Sequence, residues 1–198
     1  MIRAFLLLLL AGGDAGEWFE RARRCLAKER APLALEAIEK VLALRPDFPR
    51  AHYYAGLAHL KLAGFDRAIE ELSLELRRRP DDAEACYFRG IARVAKQQHG
   101  PAEQDFRLAL RLEPGSPAVR FQLGKLLIDA RRAGEAIPLL EQSLQIRPGY
   151  PPAHYQLGRA YQQLSRDAEA ARQFARAREL QEQDRAAARG MTPGTELR

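Results

Sequence analysis

The chain contains no asparagine, two cysteines, one tryptophan, three valines and two threonines. Each scarcity excludes something. Two cysteines allow at most one bridge, so a fold stapled by several disulfides is ruled out. So few β-branched residues argue against a sheet. The longest apolar run, Ala4 to Ala11, is 8 residues, whereas a membrane-spanning helix needs about 20; no transmembrane span is expected. There is no glycine-rich phosphate loop, no His-Glu-x-x-His and no serine in a nucleophile-elbow context. The four histidines, His52, His59, His99 and His154, include no pair three or four residues apart. No metal site, cofactor or catalytic constellation is therefore expected, and the chain does not read as an enzyme.

What is present is helix-forming. Ala, Leu, Arg, Glu and Gln dominate, and 46% hydrophobic with 29% charged residues describes a folded chain. The net charge of +6 is spread among interspersed acids and bases, which permits nucleic acid or an acidic surface as a partner without demanding either. The run Arg77-Arg78-Arg79 falls where a helix C-terminus is expected, a place that favours cations.

The organising feature is a repeat. Pro46, Pro80, Pro114 and Pro148 are spaced by 34, and each closes a stretch of apolar periodicity that proline cannot continue. Ala22, Gly56, Gly90, Gly124 and Gly158 share that spacing, as do Ala34, Ala68, Ala102, Ala136 and Ala170. Bulky residues recur four places after the second series, at Ile38, Leu72, Phe106, Leu140 and Phe174. Small residues at two fixed places predict two helices that cross closely; the bulky one fills what remains. In the second repeat the helices are predicted near Pro49–Leu62 and Asp66–Arg79, with Gly64 in the turn.

On these residues the chain resembles the tetratricopeptide repeat family. The fifth repeat carries the family pattern in Leu157-Gly158, Tyr161, Ala170, Phe174 and Ala177; the first supplies Trp18, Ala34 and Pro46. The fourth place departs from it, holding Trp18, His52, Cys86, Arg120 and His154. The resemblance implies an all-α, right-handed superhelical solenoid of five helix–turn–helix repeats. The repeats fall near residues 15–48, 49–82, 83–116, 117–150 and 151–184, within a domain of residues 16–189. Cys25 and Cys86 then occupy packing places in non-neighbouring hairpins and are expected to be free thiols.

Both ends of the array turn polar. The third and tenth places of the first helix hold Ala51 and Ala58, Ala85 and Ala92, Val119 and Leu126, Ala153 and Ala160, but Glu17 and Arg24 in the first repeat. At the far end Ala171 and Arg178 replace larger apolar residues, and Glu182 replaces the helix-ending proline. The last helix is thus expected to run on past it, with a disordered tail over residues 190–198. Residues 1–15, with Arg3, the apolar run and the small residues Ala11, Gly13 and Ala15, read as a signal peptide. That would make the protein secreted or periplasmic; an apolar N-terminus that is no signal would leave it cytoplasmic.

The resemblance further implies that the first helices line a concave groove, chiefly through places two, five, nine, twelve and thirteen. Place five is aromatic throughout, at Phe19, Tyr53, Tyr87, Phe121 and Tyr155, which suits either a platform for an extended peptide or packing between repeats. Around it stand Arg23, Arg50, Lys61, Lys125 and Arg159 against Glu84 and Asp129, a net +3. A peptide or protein partner with apolar or acidic segments is expected. The family's terminal-carboxylate clamp is absent here, because place five is aromatic and the chain has no asparagine. The functional expectation is a protein–protein scaffold or adaptor, with assembly of a cell-envelope complex as one setting. The alternative is an RNA-binding helical-repeat protein that uses the positive charge.

Overall fold

A computed structural model describes residues 13–190. Most of the expected signal segment and the tail from Met191 onward lie outside the described residues. Ten helices, and no strand among the described residues, form five hairpins. They are α1 (Ala15–Ala27), α2 (Ala31–Leu44), α3 (Ala51–Lys61), α4 (Phe65–Arg78) and α5 (Ala83–Ala95). They continue with α6 (His99–Leu112), α7 (Pro117–Asp129), α8 (Ala133–Ile146), α9 (Pro151–Gln163) and α10 (Asp167–Gly190). The chain divides at Leu112/Glu113 into two compact units, the first with three hairpins and the second with two. Within each unit a hairpin packs its two helices together, and its second helix packs on the first helix of the next.

Helix starts follow local chemistry. The Asp14, Asp82 and Ser116 side chains accept from the backbone N–H groups of Glu17, Ala85 and Val119, satisfying donors that the helix cannot. Pro117 and Pro151 occupy the first turns of α7 and α9, where proline costs no hydrogen bond.

The turn inside every hairpin has one geometry. Glu29, Ala63, Gln97, Arg131 and Ser165 all adopt left-handed backbone, φ 55–61°. In the second hairpin, Gly64 N–H donates to His59 O at 2.9 Å and Ala63 N–H to Leu60 O at 3.1 Å. This is the Schellman pattern that closes a helix C-terminus. The left-handed residue is Ala63; Gly64, the residue that marks the turn in the sequence, has an ordinary φ of −80°.

The core is built from the three recurring series. Ala34, Ala68, Ala102, Ala136, Ile38, Leu72, Phe106 and Leu140 are at most 1% exposed. Close approach needs glycine at Gly90, where a Cβ would lie 2.6 Å from Phe106 Cε1. Ala51, Ala58, Ala85, Ala92, Ala153 and Ala160 are fully buried, whereas Glu17, Arg24, Ala171 and Arg178 are exposed. The predicted α3 and α4 boundaries agree with the structure to within two residues, and α10 runs past Glu182 to Gly190.

Histidines serve the packing. His52 Nδ1 meets Glu71 at 2.7 Å, and His154 Nδ1 meets Gln173 at 2.7 Å, the same register in two hairpins. Asp105, 2% exposed, accepts from both Arg89 and Arg93, and Arg89 also donates to Ser73. This network ties α4, α5 and α6 together. Cys25 is half-buried and Cys86 buried, both free.

Candidate functional site

The first helices of each unit carry the candidate site, and its chemistry differs between the units. In the first unit α1, α3 and α5 frame an open, mainly apolar cleft of 520 Å³. Its walls are Leu26 from α1, Tyr54, Leu57 and Leu60 from α3, and Phe88 from α5; Arg23 and Lys61 stand at its rim. In the second unit a polar cleft of 410 Å³ is lined by Ile128, Asp129, Arg131, Arg159, Gln162 and Gln163.

The place-five rings do not form an exposed stripe. Tyr53 is 5% and Phe121 9% exposed, Phe19 and Tyr87 are half-buried, and Tyr155 is 51% exposed. The cause is the neighbouring hairpin. Phe19 packs on Phe48 and Tyr54 with centroids 4.8 and 5.0 Å away, Tyr53 on Phe88 at 6.0 Å, and Phe121 on Tyr150 at 5.2 Å. Tyr54 and Phe88 belong to the hairpin that follows, and Phe48 and Tyr150 to the connections leading into it. Among the described residues no hairpin follows α10, and Tyr155 meets only Phe174 of its own hairpin, at 5.5 Å. Tyr53 and Phe121 are buried in this packing. Burial, then the nearby Glu84 carboxylate, pushes the Tyr53 phenol well up from its ordinary value.

The rings that do line the cleft stand one place later, Tyr54 and Phe88. Both are half-buried: each packs on the ring of the preceding hairpin, Tyr54 on Phe19 and Phe88 on Tyr53, and also lines the cleft. The leucines sit at places nine and twelve, which the family resemblance names for the groove. Leucine there looks like ordinary core, so only the partial exposure of Leu57 and Leu60 singles them out.

The expected basic character is largely cancelled. Arg23 pairs with Glu20 at 2.8 Å, Arg50 with Glu84 at 2.5 Å, Lys61 with Glu29 at 3.6 Å and Arg159 with Asp129 at 3.1 Å. Arg50 also lies 4.0 Å over the Tyr53 ring. Of the five groove cations, only half-buried Lys125 meets no carboxylate among the described residues. The hydrogen bond to Glu20 and the adjacent Tyr54 raise the Arg23 pKa. Arg23 and Lys61 nevertheless remain able to change partner, because exposed ion pairs are held only weakly against solvent. Glu29 in particular is 85% exposed.

Among the described residues no group of three His, Cys, Asp or Glu is placed to hold a metal, and no helix is long and apolar enough to cross a membrane.

Comparison with known proteins agrees with this architecture. One tetratricopeptide repeat model matches residues 19–83, 55–117 and 87–151, and a second matches residues 127–192. No curated protein sequence matches the chain. Similar solved structures include a crystal structure of MamA, 24% identical with a TM-score of 0.75, over 83% of this chain and 96% of that one. MamA 41-end from Desulfovibrio magneticus RS-1 is 20% identical with a TM-score of 0.79, over 87% and 97%. A structure of MamA AMB-1 is 26% identical with a TM-score of 0.73, over 85% and 92%. Four overlapping stretches of the two repeat models run from residue 19 to residue 192, and on that ground the chain belongs to the tetratricopeptide repeat family.

Proposed function

We propose that the protein is a non-catalytic docking scaffold whose first unit seats a partner segment bearing large apolar side chains next to a carboxylate. The observation that carries this reading is the solvent-open cleft walled by Tyr54, Leu57, Leu60 and Phe88 and rimmed by Arg23 and Lys61. Apolar surface held open to water is a stored driving force for association, about 25 cal/mol for each Å² a partner covers. The rim cations, paired only with exposed carboxylates, can exchange them for the partner's. RNA binding is less well supported, because it calls for free cations along one face and four of the five groove cations are committed to carboxylates.

The test is selection of displayed random peptides on the full chain and on Leu57→Asp and Phe88→Ala variants whose helicity is unchanged. The wild type is expected to enrich peptides with a large apolar residue flanked by Asp or Glu. Enrichment should fall at least about tenfold on Leu57→Asp, a loss of roughly 1.4 kcal/mol. Undiminished enrichment on a folded Leu57→Asp protein would remove the cleft from consideration.

The N-terminal segment supports export as part of the same proposal. Asp14 caps α1 through Glu17 N–H at 2.8 Å, so processing between Gly13 and Asp14 keeps the cap, whereas cleavage after Ala15 would delete it. N-terminal sequencing of protein recovered outside the cytoplasm should begin at Asp14; an unprocessed chain confined to the cytoplasm refutes export.

A further inference from the structure

The turn joining α4 to α5 buries more negative than positive charge. Glu75 occupies the twenty-seventh place of its repeat, where the other hairpins have Val41, Ala109, Ser143 and Ala177. Glu75 is 2% exposed, and Asp82, the cap of α5, is 5% exposed. Glu75 Oε1 and Asp82 Oδ2 are buried acceptors without a hydrogen-bond partner among the described residues. Both lie 3.9 Å from the same atom, Nη1 of Arg79, which is too far for a hydrogen bond. Buried polar atoms are normally satisfied, so two orphans flanking one nitrogen call for a donor.

The charged and titratable groups facing this spot come from three helices. α4 contributes Glu75 itself, with Arg79 just past its end; α5 contributes its cap Asp82 together with Glu84 and Cys86; α3 contributes Arg50, Tyr53 and the Tyr53 N–H. Burial keeps the Tyr53 phenol neutral and pushes the Cys86 thiol up to about 11, so neither carries charge at neutral pH. Three carboxylates then stand against two guanidiniums. Arg50 is bonded to Glu84 through Nη2 while its buried Nε–H has no hydrogen-bond partner among the described residues, and Arg79 is 44% exposed, so it screens the buried pair only partly. Burial is the largest influence on Glu75 and raises its pKa; Asp82 raises it further, and Arg79, the Tyr53 N–H and Arg50 oppose.

We propose that Glu75 and Asp82 share one proton in the folded protein, forming a buried acid–carboxylate pair that sets the start of α5. One bound proton supplies a donor where the two acceptors have none and brings the cluster to neutrality. Asp82 Oδ1 meanwhile accepts from Ala85 N–H at 2.9 Å, and α5 carries Phe88, one wall of the cleft. The proton thereby connects the cleft wall to pH. Because the folded-state value of Glu75 is raised, its contribution to stability is fully present below the unfolded value. It is lost as pH rises through the folded value.

Carbon NMR of the full chain labelled at its carboxyl carbons, with Glu75→Gln for assignment, reads the proton directly. The Glu75 midpoint is expected above the ordinary value of about 4.3. Ala85 amide exchange, corrected for intrinsic base catalysis, should accelerate at least about tenfold as pH rises through that midpoint. The Glu75→Gln protein, whose amide supplies a donor at every pH, should not show that acceleration. A Glu75 midpoint at or below the ordinary carboxylate value overturns the proposal, as does a corrected Ala85 exchange rate that stays flat through the midpoint in the wild type. If Glu75→Gln does not fold, the wild-type titration and exchange profile decide alone.

Discussion

Gly90→Ala puts the hairpin packing to a quantitative test. An alanine Cβ at this position would lie 2.6, 2.8 and 3.0 Å from Cε1, Cδ1 and Cζ of Phe106. Phe106 is 0% exposed, so its ring has no solvent to swing into, and α5 must shift from α6 or the ring must leave its rotamer. Overpacking of a closed core costs about 1–3 kcal/mol, and three sub-contact distances to a trapped ring belong in the upper half of that range. Alanine recovers about 1 kcal/mol of helix propensity over glycine. The net expectation is a loss of roughly 1–2 kcal/mol, read by urea denaturation monitored at the helical circular dichroism band. Gly158→Ala is the internal comparison. Its Cβ meets Phe174 at the same 2.6 Å, but Phe174 is only half-buried and can yield, so that variant should lie closer to neutral. In a Phe106→Ala background, Gly90→Ala should become stabilising, since only the propensity gain is left. A Gly90→Ala protein as stable as the wild type would show that the ring does not set the helix spacing.

Two further outcomes follow from other parts of the packing. Asp105→Ala should cost about 3–5 kcal/mol in the same denaturation assay, because it strands the half-buried guanidiniums of Arg89 and Arg93 around an empty acceptor site; a loss under about 1 kcal/mol would mean that water replaces the carboxylate freely. Ala63→Gly should raise the urea midpoint, since left-handed backbone costs a non-glycine residue about 1–2 kcal/mol, partly offset by the greater freedom of glycine in the unfolded chain; a lowered midpoint would show that the Ala63 methyl contributes packing that outweighs its backbone.

The parts legible in the sequence were those where one side chain meets one closed environment. Places eight, twenty and twenty-four report helix crossing because a larger residue at Gly90 or Ala102 has nowhere to go. The ends are legible for the converse reason: Glu17 and Arg24 stand where Ala51 and Ala58 are buried, so polarity alone marks the outer face. The turns were not legible in residue type. Glu29, Ala63, Gln97, Arg131 and Ser165 share a left-handed backbone and no chemistry, because the paired backbone hydrogen bonds of each turn impose the conformation on whichever residue is there. Glycine at position 64 draws the eye, yet the strain lies one residue earlier.

The candidate site was only half legible, and the reason is geometric. A ring that recurs at one place in every repeat satisfies a requirement common to every repeat, and what all hairpins share is a neighbour to pack against. Phe19 and Tyr53 answer that requirement by contacting the following hairpin, and Phe121 by contacting Tyr150 in the connection that leads to the next one. A feature serving one partner need appear only where that partner sits. Tyr54 and Phe88 pack on the preceding rings and also line the cleft, and they are not periodic: the corresponding places in the remaining repeats hold Glu20, Gln122 and Gln156. The same reasoning applies to charge: summing Arg23, Arg50, Lys61, Lys125 and Arg159 treats them as free, while folding gives four of them carboxylates from their own or an adjoining hairpin. Periodicity therefore identifies the scaffold, and the departures from periodicity, at place six and at Glu75, are where this chain's own binding and pH response are to be sought.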